Sequence, residues 1–519
     1  MNDRTLSRRT FVAGTAAAAA LAGLADWNLG NGELAHAAGG TITATCAYSS
    51  TNYSPVGCSS ALMLGATWHV FEGLYELDLH NYETYPALAT GAPAKISDTE
   101  YEVTLRDGAK FSDGSDVTTA DVVESFARNI ANDTYSAFLS FIDAVEAKDE
   151  KTVTFKLKFP FEALLEGRLA VVKIFPASMT PEELTAAPIG SGPWMYDAGI
   201  NGDDLGAIDF SPNPYYNGSK PALADHMHWD IQKDGTSRYV NLIGGTAMVM
   251  EAVPDTLVED IKSSGITVDY KPGFSLPFLM FNTKKPPFDD YRVRQAFFYA
   301  IDVEKLIENI MGGHAHALKS FLPEHYPNFH EASTVYTYDP DKAKALLAEA
   351  GFEGGIDVEL LCNNNWVSDL SAQIKNDLDA VGIKTSLRTE AIQWAQLAPS
   401  DDILPYDVML TPGDPSCFGA DPDLLMSWWY GDNIWTAGRS CWNSTPEWAE
   451  FQELMQAARE ATGDEQQQLW NQCFDILAEQ VPLYPLFHRE LATGYWSDMI
   501  EGFEPIATTG LVFIGASVK

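Results

Sequence analysis

The chain has 519 residues, 46% hydrophobic and 20% charged, which is too long for one hydrophobic core and too apolar for a disordered chain, so about two or three domains are expected. Its formal charge of −39, from 33 Lys and Arg against 72 Asp and Glu, repels phosphate backbones and anionic bilayers and argues against nucleic-acid and anionic-membrane partners. The same field mildly favours a cationic or zwitterionic ligand.

The N-terminus reads as an export signal. Ser7-Arg8-Arg9-Thr10-Phe11 leads into an apolar, alanine-rich run to Ala25, and Ala35-His36-Ala37 has the form of a cleavage site, so residues 1–37 should be removed. The paired arginines before Phe11 look like a twin-arginine signal, which places the mature chain in the periplasm or another extracytoplasmic space. No later run is long and apolar enough to span a bilayer. Cys46 follows Thr43-Ala44-Thr45, a poor lipidation context, so no lipid anchor is expected.

Six cysteines in an exported chain allow disulfides, although spacing alone does not fix the pairing. Cys417 and Cys441 flank one turn-rich segment and are the first candidates for a bridge; Cys46 with Cys58 comes next. Cys362 and Cys473 read as buried thiols. The chain has no Cys-x-x-Cys pair, which argues against a zinc ribbon.

In chain order, residues 41–47 alternate as a first strand and 49–57 are rich in turn formers. Leu64, Trp68, Phe71 and Leu74 share roughly one face, which predicts a helix over 61–77. Residues 101–105 alternate, and turns follow at Asp107-Gly108 and Asp113-Gly114. Thr118-Thr119-Ala120-Asp121 has the form of a capping box, opening a helix through Val122, Phe126 and Ile130. With a further strand at 152–157, this stretch should make a small α+β unit. Gly190-Ser191-Gly192-Pro193-Trp194 marks a loop, 228–231 a strand and 237–245 a short helix. Asp290 and Asp302 should each cap a helix.

From Asp339 the signals sharpen. Asp339-Pro340 is an N-cap with proline at the first helical position, the run to Ala350 is rich in helix formers, and Gly351 suits a left-handed C-cap. Ile356, Val358 and Leu360 alternate as a strand; 368–381 returns to helical spacing and ends at Gly382. Residues 383–387 and 407–410 are the next strands. Strand, helix, strand within about thirty residues is a βαβ crossover, which requires a parallel pair. Ligands of such sheets sit beyond the carboxyl ends of the strands. Here those ends are 362–366, 389–394 and 411–419, and two carry a tryptophan, Trp366 and Trp394. Helices over 448–461 and 465–479 follow, and 481–487, broken by Pro482 and Pro485, leads to a short-stranded tail.

Several phrases together resemble the solute-binding proteins of ABC importers for oligopeptides, dipeptides and nickel, extracellular solute-binding protein family 5. They are Phe71-Glu72-Gly73-Leu74 with Pro86-Ala87-Leu88-Ala89; Leu105-Arg106-Asp107-Gly108-Ala109-Lys110-Phe111-Ser112-Asp113-Gly114 with Thr119-Ala120-Asp121-Val122-Val123; Gly190-Ser191-Gly192-Pro193; and Phe281-Asn282-Thr283 with Val293-Arg294-Gln295-Ala296 and Ala300-Ile301-Asp302. They span almost the whole mature chain in the family's order.

The resemblance implies an α/β, bilobed periplasmic-binding-protein fold (type II, cluster C-like) with an extra inserted α+β domain. Residues 38–65, 187–270 and 484–519 would form a discontinuous first lobe, 66–186 the insertion, and 271–483 the third part. It also implies a binder without chemistry or cofactor, a monomer that captures a small ligand, most naturally a peptide, and delivers it to an ABC permease. Peptide-binding members use an acidic residue near the Asp-Pro-Asp present here as Asp421-Pro422-Asp423 to receive the ligand's amino group. Asp414 is the nearest carboxylate, and it reads equally as that receiver or as a turn former before Pro415. Cys417, Phe418, Trp366, Trp394 and Tyr48 complete the expected ligand surroundings. His314 and His316, in a stretch with His325 and His330, read either as solvated loop residues or as ligands of a metal chelate such as nickel or haem. An exported hydrolase is the alternative of another class, but no Gly-x-Ser-x-Gly or His-Glu-x-x-His is present.

Overall fold

Alternation in the mature N-terminal segment produces the strand Thr41–Cys46, which becomes the middle of an eight-stranded sheet. Across that sheet the order is Thr267–Pro272, Phe487–Tyr495, Val249–Met250, Thr41–Cys46, His226–Ile231, Ala207–Pro212 and Trp194–Tyr196, with Ala315–Ala317 also pairing Phe487–Tyr495. Thr41–Cys46 runs parallel to both His226–Ile231 and Val249–Met250, so their carboxyl ends emerge on one edge. The computed structural model describes residues 39–50, 53–197, 206–392 and 406–519, within the compact unit Ala37–Lys519. The expected signal peptide and Trp394 lie outside the described residues.

A second sheet has the order Ile383–Glu390, Ile356–Asn363, Val408–Gly413, Leu276–Phe281, Leu483–Pro485. Its first three strands are parallel, as the crossover required; the helix Pro340–Glu349 leads into Ile356–Asn363, and Ser371–Ala380 connects that strand to Ile383–Glu390. Asp339 caps the first helix by accepting Lys342 N at 2.9 Å. A third, four-stranded sheet is made by Ala94–Ser97, Glu100–Thr104, Thr152–Leu157 and Ile142–Ala147. Against it lies the helix Thr119–Ile130, opened by the reciprocal Thr118–Asp121 capping box.

The phrases shared with the family are structural where contacts define them. Arg106 holds Glu72 with two hydrogen bonds of 2.8 Å, joining two of those phrases directly. Gly190 is fixed by close approach: a Cβ there would lie 2.0 Å from Val70 O.

Three expectations are corrected. The helix predicted over 61–77 stops at Val70, and Tyr75–Asp78 is a strand. Gly73 lies between them with no room for a side chain, a Cβ being 2.6 Å from Tyr75 O, and helical spacing there reflected burial on several sides. The short-stranded tail contains a nine-residue strand, Phe487–Tyr495, with partners along most of its length. No disulfide joins Cys417 to Cys441, nor Cys46 to Cys58. Cys417 Sγ instead faces Asp414 O at 3.4 Å and Cys441 Sγ faces Ala437 O at 3.9 Å, so each thiol is turned into its own local turn. Among the described residues, no helix is long and apolar enough to cross a membrane.

Candidate ligand-binding cleft

The carboxyl ends of the parallel strands of the first two sheets meet at one cleft of about 860 Å³. From the eight-stranded sheet come Tyr48, just past Thr41–Cys46, Lys233 past His226–Ile231, and Asp255 past Val249–Met250. From the five-stranded sheet come residues 363–366 at the end of Ile356–Asn363, and Ile392 past Ile383–Glu390. A volume of this size falls within the range that encloses small-molecule ligands. Trp366 and Tyr48, chosen from the sequence, therefore line the same cleft from different sheets.

Arg489 enters the same space from Phe487–Tyr495. Its guanidinium lies 4.4 Å from the Trp366 ring centroid, a cation–π contact between the two sheets. Burial raises the Tyr48 hydroxyl above its ordinary pKa, and the Arg489 charge opposes that rise. Arg238 lies beneath, donating to the main-chain oxygens of Gln232 at 2.7 Å, Lys233 at 2.9 Å, Glu251 at 3.1 Å and Ala252 at 2.9 Å. It thereby fixes the loops after two of the strands. Burial also raises the Asp255 carboxyl pKa, against the Tyr270 hydroxyl that donates to it at 2.8 Å.

Asp414, Cys417 and Phe418 line an adjoining cavity of about 220 Å³ that shares Ser59 with the cleft. Asp414 is a cap. Its Oδ1 accepts Ser416 N at 3.1 Å and Ser416 Oγ at 2.6 Å, and its Oδ2 accepts Thr508 Oγ1 at 2.9 Å. With Thr509 N also bonded to the carboxylate, the roughly four lone-pair positions of the group are filled. Burial nevertheless raises its pKa. Phe418 is only 7% exposed and packs with its ring centroid 5.4 Å from each of Tyr135, Phe138 and Trp428.

His314 Nδ1 and His316 Nε2 each lie 3.0 Å from a different oxygen of Glu490, and His314 stacks 3.5 Å from Tyr270. Among the described residues no group of three His, Cys, Asp or Glu could hold a metal ion. Glu490 was invisible as their partner because it arrives from the far end of the chain.

Sequence reasoning missed Arg489 and Arg238. The only signal for Arg489 was Arg489-Glu490-Leu491-Ala492-Thr493 after a double-proline segment, where a strand would have been readable had the prolines not suggested a broken one.

Residues 83–442 match the family described as bacterial extracellular solute-binding proteins, family 5 Middle. The chain is 28% identical to the dipeptide-binding protein of Escherichia coli K12, over 84% of this chain and 88% of that one. It is 27% identical to heme-binding protein A of Haemophilus influenzae, over 84% of this chain and 86% of that one. Its fold matches that of the dipeptide binding protein from Pseudoalteromonas sp. SM9913 in complex with Met-Leu, with a TM-score of 0.80 at 20% identity, over 92% of this chain and 100% of that one. The two sheets, the cleft between their strand ends and these likenesses agree: the chain belongs to family 5 of the bacterial extracellular solute-binding proteins.

Proposed function

We propose that the protein is the extracytoplasmic capture component of an ABC importer, closing on a small peptide and passing it unchanged to a membrane permease. The observation that carries this reading is the cleft of about 860 Å³ at the strand ends of two separate sheets. One lobe would comprise residues 38–65, 187–270 and 484–519, with 66–186 inserted in it, and the other 271–483; the separate sheets support that division. Ligand bound between the lobes favours the closed population, and that difference is what a permease can sense. Export through the twin-arginine signal, action as a monomer, and the absence of a cofactor, of catalysis and of nucleic-acid contact belong to the same reading.

Small-angle scattering with and without a defined dipeptide pool, paired with native mass spectrometry, tests it. Compaction together with a peptide adduct is expected. An unchanged scattering curve with no adduct overturns the peptide reading. Haem capture is a second reading, favoured by the relative named heme-binding protein A. A Soret band acquired on titration with haemin, and retained on gel filtration, would move the assignment there.

A further inference from the structure

Most described arginines already have acceptors. Arg106, Arg128, Arg168, Arg292, Arg388 and Arg459 each reach a carboxylate, while Arg238 and Arg294 donate to main-chain carbonyls. The Arg489 guanidinium has no hydrogen bond and no ion pair among the described residues, in a chain where acidic side chains outnumber basic ones 72 to 33. It is half-buried, sits over the Trp366 ring, and lines the cleft. An arginine that no described carboxylate contacts, and that sits over a ring, is preorganised for an acceptor from outside the chain.

We infer that Arg489 receives a carboxylate of the transported solute, so that the cleft selects ligands with an anionic end. This rests on the reading of the cleft as the ligand site and names the chemistry that site selects. The planar guanidinium offers paired N–H donors that match a carboxylate's two oxygens. In the adjoining cavity the Asp414 carboxylate is filled by Ser416, Thr508 and Thr509, whereas Asp369, which lines the cleft, is exposed. Asp255 accepts from Tyr270, and burial raises its pKa although the Tyr270 hydrogen bond and the Arg489 charge oppose that rise. Lys233, Arg238 and Arg489 line the cleft against Asp255 and Asp369, a formal excess of one positive charge that suits a monoanionic carboxylate better than a dianionic phosphate.

The test presents the full chain with matched pools of dipeptides as free acids and as C-terminal amides, with N-acetylated free acids and simple organic acids as further arms. Native mass spectrometry and calorimetry read the binding. Free acids are expected to bind ~10- to 100-fold more tightly than their amides, the usual range for one hydrogen-bonded charge. Arg489→Gln should bring the acids down to the level of the amides, and Arg489→Lys should retain part of the preference; an unchanged melting temperature for both variants shows that they fold. Retained binding of the N-acetylated acids identifies a peptide carboxylate read without its amine, and binding of organic acids alone moves the source to free acids. Acids and amides binding equally, or a preference that survives Arg489→Gln, overturns the inference while leaving the capture function intact. Binding from none of the pools overturns the inference and the peptide reading together.

Discussion

Two arginines of this chain show how packing divides one side chain between two uses. Arg168, on the helix Glu162–Leu169, is 1% exposed and reaches both Asp421, at 2.7 and 2.8 Å, and Asp423, at 2.7 Å. Arg459 holds the other oxygen of Asp423 at 2.7 Å, completing a buried chain of charges. Asp421 at the same time caps the helix Pro422–Tyr430 by accepting Leu424 N at 2.9 Å. Arg489 has one aromatic ring beneath it and an open cleft in front. The first arrangement joins two parts of the protein and the second leaves a receptor. What separates them is whether the carboxylates come from the chain or from outside it.

Removing one side of the filled network should have the largest effect. Arg168→Ala leaves the buried Asp423 with one cation fewer and the partly exposed Asp421 without its ion pair, and should cost about 3–5 kcal/mol in urea unfolding. A loss under about 1 kcal/mol would show that the network is no more than a surface-like pairing.

Acid reaches the same network without mutation. Burial works to raise the Asp423 pKa, but Arg459 and Arg168 outweigh it and hold the carboxyl below its ordinary value. Its contribution is therefore complete above the unfolded carboxylate range, near ~4, and is lost as pH falls through the folded-state value. Thermal unfolding followed downward from pH 6 should show this loss at low pH, and it should shrink in Asp423→Asn.

Asp414→Asn should cost about 1–3 kcal/mol by leaving Thr508 or Thr509 without an acceptor. It should weaken peptides and their N-acetyl forms by the same factor, because the carboxylate has no position left for an ammonium. Selective loss of the free-amine peptides in calorimetry would instead make Asp414 the amine receiver. Trp366→Ala should have the smallest effect: about 0.5–2 kcal/mol of ligand affinity, with stability nearly unchanged, as Arg489 loses its support. If affinity stayed constant and the melting temperature fell, Trp366 would belong to the filled part of the protein and not to the cleft.

Composition alone pointed the other way about the ligand. A charge of −39 favours cations at long range, yet that field is screened within about 8 Å at physiological salt, and the cleft presents an unpaired guanidinium. Contact chemistry outweighs the averaged field at the distances where a ligand is held.

The caps at Thr118, Asp302 and Asp339, the parallel strands 356–363 and 383–390, and the family's phrases were readable because each depends on residues near one another in sequence. The same local rules placed Trp366 at a strand end, where it lines the cleft. They overran the helix at Val70, where a backbone approach from outside the segment decides the end. They also set Cys417 and Cys441 as partners, where the direction of each side chain decides otherwise. Arg489 beside Trp366, Glu490 between two histidines and Arg168 on the Asp-Pro-Asp turn were decided by tertiary structure alone. Each joins residues far apart in the chain, and no periodicity, cap or turn signal carries across such a distance until the sheets have assembled.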